Sequence, residues 1–258
     1  MAEYFLIGVI SFSVSLISGL LGLGGAIMLI PAYLYLPSLF GFRELGIKNI
    51  SGMTSLQVFA TSLFGMLFHR KKKAFNKSVV ITVGIPIVIS SFAGAYLSGL
   101  VNPNLIISIF AFMATLGAAL VIFVRKSEKE SDENAVDYNK FASVLIGITV
   151  GFLGGMAGAP GAFLLSPLLM LVLRLPIRVT IGSTLGIVLL ASLATSLGKI
   201  TSGIVPFDQT FTAVLFSIPG VYIGSNLSHK FSTSTLRWGL ALIIALMGLD
   251  MWFQILFP

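Results

Sequence analysis

From Tyr4 to Phe42 the chain runs 39 residues without one Asp, Glu, Lys, Arg or His. As a single helix this stretch would be ~58 Å long, at ~1.5 Å per residue. The hydrocarbon core of a bilayer is only ~30 Å thick, so the stretch has to break. The break belongs at 22–25, inside GLLGLGGAIMLIP (19–31), because glycine is about 1 kcal/mol worse than alanine in a helix. A second passage, GFLGGMAGAPGAFLLSP (151–167), is written the same way. It breaks between Gly154 and Gly161, where Pro160 adds a position without an N–H.

The solvent for such a chain is lipid. Of 258 residues 56% are hydrophobic and 10% charged, with a mean hydropathy of +1.01, against about 25% charged residues in a soluble domain. The start, Met1-Ala2-Glu3, is acidic and no small-residue site ends a short apolar core, so it does not read as a signal peptide. The formal charge of +7 does not point to nucleic acid, because the basic residues gather at the ends of apolar segments. With no cysteine, disulfides, thiolate metal sites and thiol redox chemistry are excluded.

One polar segment, RKSEKESDENAVDYNK (125–140), divides the chain into membrane-embedded halves, 1–124 and 141–258. The halves share ordered landmarks. Gly19-Leu-Leu-Gly22 parallels Gly151-Phe-Leu-Gly154, Gly25-Ala26 parallels Gly161-Ala162, and Gly52-Met-Thr54 parallels Gly182-Ser-Thr184. Ile85-Pro86 with Gly94–Ser98 then parallels Ile218-Pro219 with Gly224–Ser228. Ordinary spans are expected at 47–68, 78–100 and 104–124, and at 179–199, 209–228 and 236–257.

Charge chooses between a broken span and a hairpin. With the basic cluster at 70–77 in the cytoplasm, inverted halves put 13 of the 16 Lys and Arg inside, and parallel halves put 10 inside. The positive-inside rule therefore favours inversion. The expected fold is an all-α polytopic membrane protein of two inverted repeats. Each is a Gly-broken hairpin of two short helices, with arms of about 14 residues, followed by three transmembrane helices. The protein is placed in the cell's inner (plasma) membrane, with the linker 125–140 cytoplasmic and both termini external.

A break at membrane depth leaves N–H groups that lipid cannot satisfy, so it persists only against protein or water. The helices restarting at about Ala26 and about Gly161 or Ala162 present such groups with a positive dipole end. Two such ends facing one cavity form an anion site without a buried cation. The candidate backbone is Gly22, Gly24, Gly25, Ala26, Gly158, Ala159, Gly161 and Ala162. A nucleotide loop is excluded, since no strand–helix context or Walker lysine is present.

The motifs GLLGLGGAIMLIP and SGMTSL (51–56), with GFLGGMAGAPGAFLLSP and TIGSTLG (180–186), resemble the TauE/SafE group of sulfite-exporter-like membrane proteins. That group is also called the toluenesulfonate uptake permeases. The likeness covers essentially the whole chain. The Gly-Thr-Ser that often follows the first hairpin stands here as Gly52-Met53-Thr54-Ser55, and as Gly182-Ser183-Thr184 in the second half. The resemblance implies transport of small sulfur-containing anions, sulfite or organosulfonates, often outward. Import of a related organic anion and a membrane scaffold without transport are the alternatives.

Polar residues after each hairpin complete the candidate oxyanion shell: Ser51, Thr54, Ser55, Gln57, Ser183 and Thr184, with Ser192, Thr195 and Ser196 ranked lower. Thr54, Gln57 and Thr61 are expected on one helix face. Lys199, ending an otherwise uncharged span, reads as an anchor snorkelling to the outer interface, with guidance of anions at the outer mouth as the alternative. His69 and His229 adjoin basic clusters, and Tyr4, Trp238 and Trp252 suit interfacial belts. Two histidines at span ends and no deep carboxylate pair argue against an enzyme. No catalytic residue, metal-ligand set or cofactor is expected. The implied partners are a small anionic substrate, the lipid bilayer and, as an open alternative, a second copy in a homodimer.

Overall fold

The computed structural model describes residues 1–21, 26–42, 44–68, 76–124, 138–159 and 161–227. Among them it has no strand and nine helices: α1 (Ala2–Leu21), α2 (Ala26–Leu39), α3 (Ile47–Phe68), α4 (Lys77–Ser98), α5 (Pro103–Val124), α6 (Lys140–Ala157), α7 (Ala162–Leu171), α8 (Ile177–Thr201) and α9 (Phe207–Leu227). Seven of these, all but α2 and α7, are long and apolar enough to cross a bilayer. The protein is an all-helical polytopic membrane protein. Five of the six expected spans are observed within about two residues of their anticipated ends. The sixth, 236–257, lies outside the described residues, as do Gly22, Gly24, Gly25, most of the 70–77 cluster, most of the linker, Pro160, both histidines and both tryptophans.

Asparagines at the edges of the polar segments start two spans. The Asn76 side chain accepts from Val79 N at 3.2 Å and the Asn139 side chain from Ala142 N at 3.1 Å. Each satisfies one of the N–H groups that a helix start leaves without an intrahelical partner.

The chain reverses at both breaks. Straight through 22–25, Ser11 and Tyr33 would lie ~33 Å apart; their hydroxyls are 2.6 Å apart. In the second half, a Cβ on Gly161 would touch the Val150 side chain and lie 3.5 Å from the Val150 carbonyl oxygen. Residues eleven apart in one helix would be ~16 Å apart. The equal short arms expected from sequence are corrected. The first arms, α1 and α6, have 20 and 18 residues, whereas α2 and α7 have 14 and 10. A break is placed by where the glycines stand, not by where an apolar run divides evenly. Ten residues cover ~15 Å, half the hydrocarbon thickness, so α7 alone is too short to cross it.

Close backbone crossings join the halves. Along α6, Gly147 meets Val83 and Ile87, Gly151 meets Ile87 and Ser90, and Gly155 meets Ser91 of α4. Along α9, Gly220 meets Phe12 and Ser15, and Gly224 meets Leu16 and Leu20 of α1. Numbers rise together in both pairs, so α4 runs parallel to α6 and α1 parallel to α9. Gly198 of α8 meets Phe92, Ala95 and Tyr96 of α4, and Ser91 Oγ donates to Ala191 O at 3.4 Å, so α4 and α8 are parallel too. α3 and α8 run oppositely: Ser62 pairs with Ser192 at 3.3 Å, and Ser51 with Lys199 at 2.9 Å.

Side chains at these crossings would collide with backbone, which cannot yield. We expect Gly151→Leu and Gly224→Leu to destabilise the detergent-solubilised protein by about 1–3 kcal/mol or more in thermal unfolding. Gly65→Ala, with nothing within 4 Å of its Cβ, should be neutral or stabilising by about 0.5–1 kcal/mol.

Candidate anion site at the second helix break

α6 ends in a left-handed cap. Gly158 has φ 76° and its N–H reaches back to the carbonyls of Gly154 and Gly155; Ala159 N also bonds Gly154 O at 3.0 Å. A Cβ on Gly158 would run into the carbonyl of Ser51, so glycine is required there for its φ and for the approach. Gly161, with φ 64°, precedes α7 without a side-chain cap. Gly161 lies beside Val150, and neighbouring Gly151 faces Ile87, the eleventh residue of the 22-residue α4. α7 therefore restarts near the middle of the bundle. Gly161 N bonds Ala159 O, and Leu164 N bonds Gly161 O at 2.9 Å, so the N–H groups left without a helical acceptor are those of Ala162 and Phe163.

The bend itself sits closer to one end. Gly158 lies against Ser51 of α3, and Thr54 Oγ1 is 3.1 Å from Gly158 O and 3.2 Å from Ser51 O, sharing its proton. Thr54 thus holds the bend from the other half of the chain. Ser51, Thr54, Gly158 and Ala159 form one buried cluster.

Other sequence candidates go elsewhere. Ser55 is buried but donates to its own helix at Gly52 O, 2.7 Å away. Gln57 belongs to a separate network: Tyr33 Oη donates to Gln57 Oε1 at 2.7 Å, and Gln57 Nε2 donates to Ser15 Oγ at 3.4 Å. Thr61 donates to Val58 O at 3.2 Å. Thr54, Gln57 and Thr61 lie on one face of the unbroken α3, but they do not form one shell: Thr54 turns to the α6–α7 bend, Gln57 to α1 and α2, and Thr61 to its own helix. Ser183 accepts from Asn76 N at 3.4 Å, and Thr184 lies 3.5 Å from Ser166 Oγ, toward the end of the bundle opposite Ser51. Ala26 and Ala162 are the first residues of α2 and α7.

Lys199 overturns its sequence reading. It does not snorkel; it is wholly buried. Its Nζ donates to Ser98 Oγ at 2.7 Å, Ser51 Oγ at 2.9 Å and Met156 O at 2.9 Å. Both hydroxyls have already given up their protons, Ser51 to Lys48 O at 2.9 Å and Ser98 to Ala95 O at 2.6 Å. All three partners are therefore acceptors, and only an ammonium supplies three donors. Among the described residues no carboxylate lies within ion-pair distance of it. Ser98 ends α4 and Met156 stands one residue from the end of α6, so two negative helix ends help hold the charge. A site without a buried cation is thus corrected. The signals were present in sequence: one charge in an otherwise uncharged span, and a serine closing a repeated landmark.

The family model described as Sulfite exporter TauE/SafE matches residues 6–251. A probable membrane transporter protein of Methanocaldococcus jannaschii is 25% identical over 253 residues, covering 94% of this chain and 93% of its own. Two probable membrane transporter proteins of Bacillus subtilis, YunE and YdhB, are 24% and 26% identical, over 93% and 95% of this chain and 94% and 98% of their own. No solved structure matches the chain.

Thr54→Val, which keeps the shape and removes the tie to Gly158, is expected to cost about 1 kcal/mol in thermal unfolding. Thr61→Val, whose hydroxyl serves only its own helix, should change stability by less than about 0.5 kcal/mol.

Proposed function

Because the chain belongs to the sulfite exporter TauE/SafE family, we propose that this membrane transporter moves small sulfur-containing anions, sulfite or an organosulfonate, outward across the plasma membrane. The observation that carries the reading is the short α7, whose N-terminus opens near the middle of the bundle behind two left-handed glycines. Such an end attracts anions through unpaired N–H groups and the helix dipole, and at that depth it has no other use for them.

Alternating access follows from the helix directions. Taking α1, α3 and α4 with α6, α8 and α9 as equivalents, every pair points oppositely: α3 opposes α8 directly, and α1 and α4 are parallel to α9 and α6. This supports two inverted repeats, 1–124 and 141–258, around the linker 125–140. It also supports 13 of the 16 basic residues facing the cytoplasm, with both termini outside. The repeats rock about the α3–α8 seam, exposing the restarting helices to one side and then the other. Export and import share this path; the anion gradient sets the direction.

Purified protein in liposomes should move sulfite or a small sulfonate down its gradient. Gly161→Leu, which needs a strained φ and meets Val150, should abolish that flux while the protein retains a cooperative unfolding transition. Wild-type flux in folded Gly161→Leu protein, or no anion flux in the wild type, would overturn the proposal.

A further inference from the structure

Lys199 is wholly buried among neutral partners in a chain that crosses lipid, and its three acceptors call for the ammonium form. Ion pairing normally offsets the several kcal/mol that such burial costs, and here hydroxyls and a carbonyl stand where a counter-ion would. The other cation close by, Lys48, has the same sign and donates to Gly99 O at 2.8 Å. Both ammonium groups thus lie at the C-terminal end of α4. Among the described residues Lys199 has no partner ion there, and Glu3, Glu44 and Asp208 at the same end do not reach it.

Resting on the transport reading above, we infer that Lys199 is the counter-charge that receives the transported anion. The ligand class is a small singly charged oxyanion, bisulfite or a short sulfonate, because Lys199 is wholly buried with three partners within 2.9 Å of its Nζ. The present partners are exchangeable. Ser51 and Ser98 each keep their own proton on a carbonyl of their own helix, so losing the ammonium leaves neither hydroxyl unpaired, and the Met156 carbonyl alone gives up a donor. The present bonds pair an ammonium with neutral acceptors, whereas an oxyanion adds the attraction between opposite charges, so the anion displaces them.

A second observation lies one turn along α8. Ser196 is 4% exposed and its hydroxyl has no partner among the described residues. Standing three residues before Lys199, it shares that helix face and offers an unspent donor toward the middle of the bundle. An anion leaving Lys199 inward meets Ser196 next.

The exchange also couples binding to movement. Ser51 and Ser98 belong to the first half, Lys199 and Met156 to the second. While Lys199 holds all four groups together, α6 is tied to α3 and α4 at this end. An anion that takes over the ammonium removes these bonds and leaves the Thr54–Gly158 bond and the Gly155–Ser91 contact, so the joint loosens when cargo is present.

Removing one competing acceptor should tighten anion binding, an effect a purely structural lysine would not produce. In Ser98→Ala the sulfite concentration giving half-maximal thermal stabilisation should fall about fivefold, the worth of one hydrogen bond. Lys199→Met should lose saturable stabilisation and at least about 90% of sulfite flux in liposomes, whereas Lys199→Arg keeps the charge and retains part of both. A Ser98→Ala protein with lower unfolding temperature and unchanged half-saturation overturns the inference. So does a Lys199→Met protein with wild-type stabilisation by sulfite. Either result alongside robust wild-type flux leaves the transport reading standing; absence of anion flux in the wild type removes both.

Discussion

In lipid every backbone amide has to find its partner inside the protein, and the second helix break shows what that demands. The end of α6 presents carbonyls that are buried inside the packed bundle. Its own cap takes Gly154 and Gly155, Thr54 of α3 takes Gly158, and Lys199 of α8 takes Met156. Each donor arrives from a different helix, one of them from the first half. The bend therefore exists only as part of the assembled bundle, and α7 can restart near mid-depth because those neighbours have met the cost of stopping α6.

The same neighbours can approach so closely because the crossings are made of small residues. Without a hydrophobic driving force between helices in lipid, association relies on van der Waals contact and interhelical hydrogen bonds. Gly147, Gly151 and Gly155 line one face of α6 at four-residue spacing, and Ser90 donates across to Gly147 O at 3.1 Å. Gly220 and Gly224 do the same for α9 against α1. These two parallel crossings bind the first arm of each half to the third long helix of the other. The halves are thereby interleaved rather than laid side by side. Between α3 and α8 the Ser62–Ser192 pair and Lys199 stand in place of glycine-on-backbone contact.

Much of this was legible in sequence for simple reasons. Span ends follow from apolar run length and flanking polar residues, which is why Ile47–Phe68 and Pro103–Val124 match their anticipated ranges. Glycine breaks are local events, so Gly158 and Gly161 emerged as break residues from their own run alone. The uneven arms were not legible, since an apolar stretch does not record how far a helix continues before it turns. Nor was the separation of Gln57 from Thr54: three residues along a helix leave the choice of neighbour to packing, and two different neighbours claimed them.

The amino-acid sequence by itself determined that the chain lives in a bilayer, where its helices lie, that two runs break, and that the pattern is written twice. These properties depend on each residue's own preference for lipid, water or helical backbone. Tertiary structure alone decided which groups meet. Ser51, Ser98, Met156 and Lys199 are up to 148 positions apart and share no local pattern. A lysine near a span end looks like a surface anchor until three other helices close over it. Whether a charge reaches water or is sealed inside depends on what surrounds the helix, a property of the packed bundle and of no segment within it.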